Sequence, residues 1–466
     1  MIIRLLTSLL ITTLACLAYS PAIFAELPLS SEEDIRPSLT RDPFQRSRDS
    51  IPNRDNRPTA NEVSIEIPTP TRDDNNFPTK ETAGQATTDG FSYEFAATVD
   101  AFSITAGGIL KPDSNAHEQD SSSVFGVIDL VAEFDTEKSN LWNNGLFFIY
   151  TALTFGAAPT VGDLNGISDK YAGANSLRII EAWYEHNFPY SHSSFLFGIQ
   201  DFSNEFYQTI FTKPFLNNGF RLGKPIRSHG NVSTYPYTTL GLRFKSSLSK
   251  NSYLQIAIFD DEPGKDALDK VIDINLNHRD SFLLVSEIGV TKNRPESING
   301  YHKIALGAWY LKDEQFGFRE NIGESNERYL LAENPRSGNG GVYLLAETSV
   351  TKNIGMFFKH GRAQKEFNRY TEYYTAGINL KGIIPERDDD VIALGMVHTR
   401  HSDAFMASNP DKFFTSETVW EITYMTKVTQ WLTIQPDFQY IQQPSMTSPL
   451  EQANTAVIGM RAQAIF

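Results

Sequence analysis

The stretch Ala456-Val-Ile-Gly-Met-Arg-Ala-Gln-Ala-Ile-Phe466 alternates in polarity with a period of two residues. Side chains two apart on a β-strand point the same way, so each set shares a face. The apolar set comprises Ala456, Ile458, Met460, Ala462, Ala464 and Phe466. Arg461 and Gln463 lie on the opposite face. A strand that is apolar outside and polar inside is typical of a β-barrel in the bacterial outer membrane.

The beginning of the chain indicates export. Arg4 precedes an apolar core from Leu5 to Leu17, and small residues follow up to Ala25. This is the pattern of a secretory signal peptide (residues 1–25), and its core is too short to span a bilayer as a helix. We therefore expect cleavage after Ala25. The single cysteine, Cys16, lies within this segment, so the mature chain would have no thiol and no disulfide.

Composition narrows the class of protein. After the signal peptide, the 466-residue chain has no run of about 18 uninterrupted apolar residues, which an inner-membrane helix would need. An exported chain of this kind is soluble or a barrel, and its 32 Phe and 19 Tyr favour the barrel. The net charge of -15 argues against a nucleic-acid partner.

Residues 26–90 differ in composition from the rest. Prolines recur there among Arg, Asp, Asn, Ser and Thr. Such a stretch buries too little apolar surface to offset its chain entropy, so we expect a disordered periplasmic extension. The alternative is that the Arg-containing piece from Arg36 to Arg57 binds the cell wall or a protein partner.

Residues 91–466 contain short segments of alternating polarity separated by Gly, Asn, Asp, Ser and Pro clusters. They predict an all-β fold, a transmembrane antiparallel β-barrel of about 16 strands. The predicted strands are Phe95–Leu110, Val124–Phe134, Gly145–Phe155, Leu177–Phe188, Ser194–Phe202, Thr238–Ser246, Tyr253–Phe259, Phe282–Val290, His302–Leu311, Gly341–Thr348, Gly355–Gly361, Tyr373–Lys381, Val391–Thr399, Thr418–Thr426, Trp431–Tyr440 and Thr455–Phe466.

Alternation also assigns faces within the clearer strands. The residues predicted to face lipid are Leu240, Leu242, Phe244, Leu432, Ile434, Phe438 and Tyr440. The residues predicted to face the lumen are Thr239, Gly241, Arg243, Lys245, Thr433, Gln435, Asp437 and Gln439. Pro436 falls on the apolar face and predicts a bulge or a locally unpaired position. The segment Leu177–Glu185 alternates less cleanly, but Glu181, Trp183 and Glu185 share a face, and carboxylates are costly toward lipid.

Enzyme motifs are absent. There is no Gly-x-Ser-x-Gly elbow, no His-Glu-x-x-His and no phosphate-binding loop, so an enzyme is not expected. The scattered histidines, and the acidic runs at 260–262 and 388–390, are best explained as polar loop or turn residues rather than metal ligands. No metal and no cofactor are implied.

The lumen is predicted to combine charges, amides and an aromatic ring. Hydroxyl groups both donate and accept hydrogen bonds, and an aromatic face packs against the C–H surface of a sugar. Such a wall suits neutral polyols, although any water-filled barrel has charged walls. The candidate pore-lining and sugar-contact residues are Glu181, Trp183, Glu185, Arg243, Lys245, Glu421, Gln435 and Asp437.

Several stretches carry a family resemblance. They are 341–347, 377–395 with Ser402-Asp403, Glu417-Thr-Val-Trp-Glu-Ile-Thr-Tyr424, Trp431-Leu-Thr-Ile-Gln-Pro-Asp-Phe-Gln-Tyr440 and 453–461, with weaker support from Glu181-Ala-Trp-Tyr-Glu185, 198–206 and 235–243. With them the chain resembles the carbohydrate-selective porins of Gram-negative outer membranes, the OprB-like family. The start of the barrel, Asp89-Gly-Phe-Ser-Tyr-Glu94, departs from the family's Trp-Gly-Gly-Leu-Arg pattern.

The resemblance implies a 16-stranded barrel in the outer membrane and passive, substrate-preferring diffusion of monosaccharides or small oligosaccharides. It implies Arg and Glu side chains at the constriction, a role that would fall to Arg243, Glu181 and Glu185. The expected partners are permeating sugars, outer-membrane lipid and the barrel-assembly machinery, which would recognise Phe466. Monomer and homotrimer both stay open.

Two other functions stay open as well: a general diffusion porin without sugar preference, and a structural barrel tethered to the cell wall through residues 26–90. Two connections are long enough to fold inward and narrow the pore, namely Pro159–Ser176 and Asp313–Gly340.

Overall fold

The structure is a computed structural model. It describes residues 86–88, 90–109, 122–159, 161–170, 175–227, 232–260, 271, 281–292, 300–312, 317–322, 326–331, 338–365, 368–409, 413–446 and 452–466. The predicted signal peptide, and the predicted extension up to residue 85, lie outside these residues. In the part of the chain that the structure describes, no helix is long and apolar enough to cross a membrane.

Antiparallel strands make up most of the described chain. The first ten are β1 (Ala86–Thr88), β2 (Phe91–Ile109), β3 (Ser122–Asp135), β4 (Gly145–Gly156), β5 (Ser176–Phe188), β6 (Ser193–Gln200), β7 (Thr239–Ser249), β8 (Ser252–Asp260), β9 (Phe282–Lys292) and β10 (His302–Lys312). The others are β11 (Gly317–Ile322), β12 (Asn326–Leu331), β13 (Asn339–Thr351), β14 (Ile354–Ala363), β15 (Tyr370–Lys381), β16 (Val391–His401), β17 (Ser416–Lys427), β18 (Leu432–Gln442) and β19 (Gln452–Ile465). Two short helices are α1 (Lys224–Arg227) and α2 (Asp403–Ser408).

Sixteen of these strands, β2–β10 and β13–β19, form a closed antiparallel barrel. It closes where β19 pairs with β2, with Arg461 opposite Asp100. Strand β1 adds a short pairing to the start of β2, and β11 and β12 form a separate hairpin within the long connection after β10. Each of the 16 predicted strands coincides with one barrel strand, so the predicted fold class is confirmed.

The lengths of the connections give the barrel its orientation. Strands are joined by tight turns at the end that carries Phe466, as between Ser249 and Ser252 or between Thr351 and Ile354. Much longer connections stand at the other end, as between Gln200 and Thr239. Outer-membrane barrels have short periplasmic turns and long extracellular loops, so Phe466 lies at the periplasmic end.

The structure agrees with the predicted faces. On β7, Leu242 and Phe244 are exposed on the outside, whereas Arg243 between them is 2% exposed. The ladder between β17 and β18 omits Pro436, and its register is the same on both sides of the gap. Pro436 is therefore not a bulge but a position unpaired toward β17, since proline has no N–H to donate; on its other side it pairs with Met460 of β19.

A bulge explains why the polarity of β5 alternates less cleanly. Tyr150 pairs with Glu181, but the next residue of β4, Thr151, pairs with Ile179. Ile180 is thus an extra residue, and it is buried beside Glu181. The bulge changes which residues of β5 face inward: even-numbered Arg178 does so before the bulge, and odd-numbered Trp183 does so after it.

Two extracellular connections fold into the barrel. We call residues 161–170 the first inserted segment, and residues 201–227 with 232–238 the second. The second supplies many members of the buried apolar cluster, which are Phe202, Phe206, Tyr207, Ile210, Phe211, Phe215, Leu216, Phe220, Leu222, Ile226 and Val232. The first lies within the predicted connection Pro159–Ser176; the second was not predicted.

Candidate functional site

Carboxylates on the inner wall of the barrel hold the inserted segments by their backbone. Glu347 on β13 accepts hydrogen bonds from the N–H groups of Ile210 at 2.7 Å and Phe211 at 3.3 Å. The same kind of contact recurs in Glu181 with Asp201 at 3.0 Å, Glu287 with Tyr207 at 3.2 Å, Glu417 with Leu164 at 2.7 Å, and Glu421 with Leu216 at 2.6 Å and Asn217 at 3.0 Å.

Donors on the wall hold the carbonyl oxygens of the second inserted segment. The Lys359 ammonium donates to Phe220 at 2.9 Å and to Arg221 at 3.1 Å. The further contacts of this kind are Lys303 with Gln208 at 2.6 Å, Gln255 with Glu205 at 2.7 Å, Asn379 with Phe211 at 2.8 Å and Gln435 with Pro214 at 2.5 Å. A buried loop needs partners for its backbone groups, and the wall supplies both kinds.

Glycines on the wall make room for the rings of the second segment. A side chain at Gly395 would place its Cβ 2.6 Å from the ring of Phe220 and 2.7 Å from that of Phe215. These two rings stack with centroids 4.0 Å apart. Gly355 accommodates Phe211 in the same way, at 2.1 Å. The segment is therefore fitted to the wall by shape as well as by hydrogen bonds.

A buried network of charges joins the two inserted segments to the seam where the barrel closes. Arg461 on β19 binds Asp100 on β2 at 2.7 Å and Asp169 of the first segment at 2.7 Å. Arg221 of the second segment also pairs with Asp169. Burial alone would raise the pKa of Asp169, but Arg221 and Arg461 lower it below its ordinary value, so the carboxylate stays ionised.

Part of this network is exposed to solvent. The Arg221 side chain is 26% exposed. Asn218, Lys224 and Arg227 of the same segment are half-buried. The pKa of Lys224 is lowered to about 7, mainly by burial and secondarily by the charge of Arg227. Asp163 and Glu417 act in the opposite direction and raise it. The second segment thus presents donors and a titrating amine to solvent.

Four of the predicted site residues lie close together on the inner wall of β5 and β7. Arg243 forms ion pairs with Glu185 and with Glu205 of the second segment. Glu181 is fully buried and also receives a hydrogen bond from the Asn204 side chain at 3.2 Å. Trp183 is 4% exposed and stacks on Phe148, with ring centroids 4.6 Å apart.

The other four predicted residues also point inward. Lys245 is half-buried, and its ammonium lies 5.7 Å from the ring centroid of Tyr253. Glu421 and Gln435 hold the second segment. The Asp437 carboxylate accepts a hydrogen bond from Gln439 at 2.9 Å. All eight residues lie on the lumen side, on two separate parts of the wall, and whether any of them touches sugar stays a prediction.

The prediction omitted residues that are central to this arrangement. Glu287, Glu347 and Lys359 lie on predicted strands, and their inward direction followed from alternation. Nothing local in the sequence indicated that their partner would be backbone of a distant connection. Among the described residues, no group of three or more His, Cys, Asp or Glu is arranged to hold a metal ion.

Comparison with known proteins identifies the family. The family model described as "Carbohydrate-selective porin, OprB family" matches residues 119–466. The chain belongs to this family. Porin B of Pseudomonas aeruginosa is 21% identical over 335 residues, which cover 66% of this chain and 72% of that protein.

Solved structures agree on the fold. Pseudomonas putida OprB at high pH superposes with a TM-score of 0.65 at 18% identity, over 81% of this chain and 94% of that one. The outer-membrane channel DcaP of Acinetobacter baumannii gives 0.51 at 12% identity, over 82% of this chain and all of that one.

Membership of the OprB family confirms the predicted function and class of protein. The protein is an outer-membrane porin for carbohydrates, and the family consists of channels and not enzymes. The inserted segments therefore lie inside the barrel of a carbohydrate porin, where inner-wall carboxylates hold their backbone.

Proposed function

We propose that the protein admits small neutral sugars by passive diffusion past a constriction formed by its two inserted segments. The observation that carries this proposal is that the wall binds the second segment in two ways. Wall carboxylates accept hydrogen bonds from its N–H groups, and wall donors bind its carbonyl groups. A segment held in this way keeps one shape, and size selection requires a fixed aperture.

The accessible chemistry of the segment suits hydroxylated solutes. Arg221 offers several N–H donors in a fixed fork, and Asn218 offers both donors and acceptors. The ion pair with Asp169 holds the guanidinium in place without removing it from water. Neutral sugars can exchange hydrogen bonds with these groups and pass on, because each such bond has a small net free energy in water.

We assign different roles within the predicted set. Glu181, Glu421 and Gln435 position the constriction, since their polar atoms contact the second segment. Arg243 and Glu185 position it as well, through Glu205. Lys245, which is half-buried on the wall toward the periplasm, remains a candidate for sugar contact; Trp183 and Asp437 are packed more deeply and support the wall.

Liposome swelling tests this proposal. Proteoliposomes that contain the wild-type barrel should swell faster in glucose than in a disaccharide or in a neutral polymer of similar size. Arg221→Gln should reduce the difference in swelling rate between sugar and polymer, while the proteoliposomes stay permeable to both. Arg387→Gln, in a periplasmic turn, should behave as wild type. Equal rates for all neutral solutes in the wild type would instead indicate a general diffusion porin.

Processing and assembly complete the proposal. We propose a signal peptide of residues 1–25, a periplasmic extension to residue 90 and a barrel domain of residues 91–466. Phe466, 48% exposed at the periplasmic rim, would be recognised by the barrel-assembly machinery, and the barrel could assemble as a homotrimer. N-terminal sequencing of the outer-membrane protein tests cleavage after Ala25, and native mass spectrometry of the extracted protein tests the trimer.

A further inference from the structure

A polar patch stands on the lipid-facing surface near the extracellular end of the barrel. Glu372 on β15 is the cross-strand partner of Arg362 on β14 and of Arg400 on β16, and all three lie within two residues of the strand ends. The row below them comprises His360, Tyr374 and His398. The neighbouring residues along each strand, such as Lys359, Tyr373 and Thr399, are buried, so alternation directs the patch outward.

The patch has defined geometry. The rings of His360 and Tyr374 stack with centroids 4.5 Å apart and an angle of 2° between their planes. His398 Nδ1 lies 2.8 Å from the Thr418 hydroxyl. Arg400, whose side chain is 50% exposed, reaches the carboxylate of Asp403 at 3.1 Å. Arg362 is exposed and forms no ion pair with any described residue.

The rest of this surface is different. Val342, the partner of Arg362 on β13, is 52% exposed. Near the same end, the outward residues of β3 to β5 include the apolar Val124, Phe155 and Leu177, all at least 36% exposed, whereas Lys312 on β10 and Gln442 on β18 are polar outward residues. An arginine facing acyl chains costs about 2–4 kcal/mol at the bilayer midplane and about 0–1 kcal/mol near the interface, so the patch must lie among headgroups.

We propose that this patch binds the phosphate of a phosphorylated glycolipid in the outer leaflet. Two guanidinium groups flanked by imidazole groups match the oxygen atoms of a phosphate, which arginine binds in a bidentate manner, while the Tyr374 hydroxyl donates to Glu372 at 3.4 Å. Glu372 lies between the two arginines, so the guanidinium groups form two separate contact points. The site lies outside the lumen, so sugar passage does not depend on it.

Native mass spectrometry in detergent tests this site, with bisphosphorylated lipid A as the probe. The double variant Arg362→Gln/Arg400→Gln should bind the probe at least about tenfold more weakly, since one charge-assisted contact corresponds to about that factor. Arg387→Gln should bind as wild type. Lipid A without phosphates should bind wild type and double variant equally, and millimolar inorganic phosphate should not displace the glycolipid.

Three results would overturn the proposal. If the double variant binds bisphosphorylated lipid A as tightly as wild type does, the two arginines do not bind the phosphate. Displacement by inorganic phosphate would leave no role for the lipid. A change in the oligomeric state of the double variant in lipid-free detergent would make the patch an interface between copies. Unchanged glucose permeability of the double variant in proteoliposomes is the control that the barrel remains folded throughout these comparisons.

Discussion

The carboxylate of Glu347 accepts a hydrogen bond from the backbone N–H of Ile210 at 2.7 Å, although 137 residues separate the two in sequence. Glu347 belongs to the barrel wall and Ile210 to the second inserted segment. The contact shows how the wall holds the inserted segment: the wall carries the charges, and the segment presents its backbone to them. Removing a wall charge should therefore alter the pore without opening the barrel.

The substitution Glu347→Gln tests that relationship. An amide accepts more weakly than a carboxylate and brings an N–H group toward two other N–H groups, so the fastening should weaken by about 1–3 kcal/mol. Single-channel recordings should then show a larger mean conductance with more frequent fluctuations. Glu372→Gln is the matched control, because Glu372 lies on β15 and faces the outside of the barrel. Identical recordings for wild type and Glu347→Gln would show that the segment does not depend on this carboxylate.

Gly395 should tolerate no side chain while Phe220 is present. The substitution Gly395→Ala puts a methyl group 2.6 Å from that ring, and overpacking of this kind typically costs about 1–3 kcal/mol. We expect faster proteolysis of the second inserted segment in the variant. Because the Phe215 ring lies 2.7 Å from the same position, the triple variant Gly395→Ala/Phe215→Leu/Phe220→Leu should recover much of the protection. If the single variant is as resistant as wild type, the rings do not pack on the wall as described.

The buried arginine at the seam should be important for stability. Arg461→Met leaves Asp100 without its partner in a buried position, which typically costs about 3–5 kcal/mol. Thermal unfolding in detergent should show a lower midpoint. Lys138→Gln, which breaks an exposed pair with Asp135, should change stability by less than about 1 kcal/mol. Equal midpoints for the two variants would contradict a structural role for the seam.

Lys224 should make ion selectivity depend on pH. Burial and Arg227 lower its pKa to about 7, so the amine is mainly neutral at pH 8 and mainly protonated at pH 6. Lowering the pH adds positive charge to the second segment and should shift the reversal potential toward anion preference. The groups that act on it are Arg227, Asp163, Glu417 and Arg369.

The variant Lys224→Met isolates this effect. Its reversal potential should change less between pH 8 and pH 6 than that of wild type. Lys138→Met, in a periplasmic turn, should retain the full change. A full change in Lys224→Met would assign the pH dependence to other groups.

The strands were predictable because their signal is local. Residues two apart report the face, and this holds for β7 and β18 as well as for the run that ends at Phe466. Alternation is less clean at β5, where the extra residue Ile180 shifts the pattern between Arg178 and Glu181, yet the predicted set Glu181, Trp183 and Glu185 does lie inward.

The constriction was only partly predictable, because its contacts join distant parts of the chain. Chain length indicated that Pro159–Ser176 could fold inward, as the first inserted segment does. For the second segment, the available signal was its run of aromatic residues without alternation, together with glycines at inward positions of β14 and β16. Recognising that Phe211 fits Gly355 and that Phe220 fits Gly395 requires the register of strands far along the chain.

Single-channel current through the mature barrel in a planar bilayer, titrated with glucose and separately with a neutral polymer of similar size, tests sugar selectivity most directly. Saturable reduction of the current by glucose, with no saturable reduction by the polymer, is the expected result. Ohmic current that glucose and polymer affect equally would contradict a sugar-selective constriction.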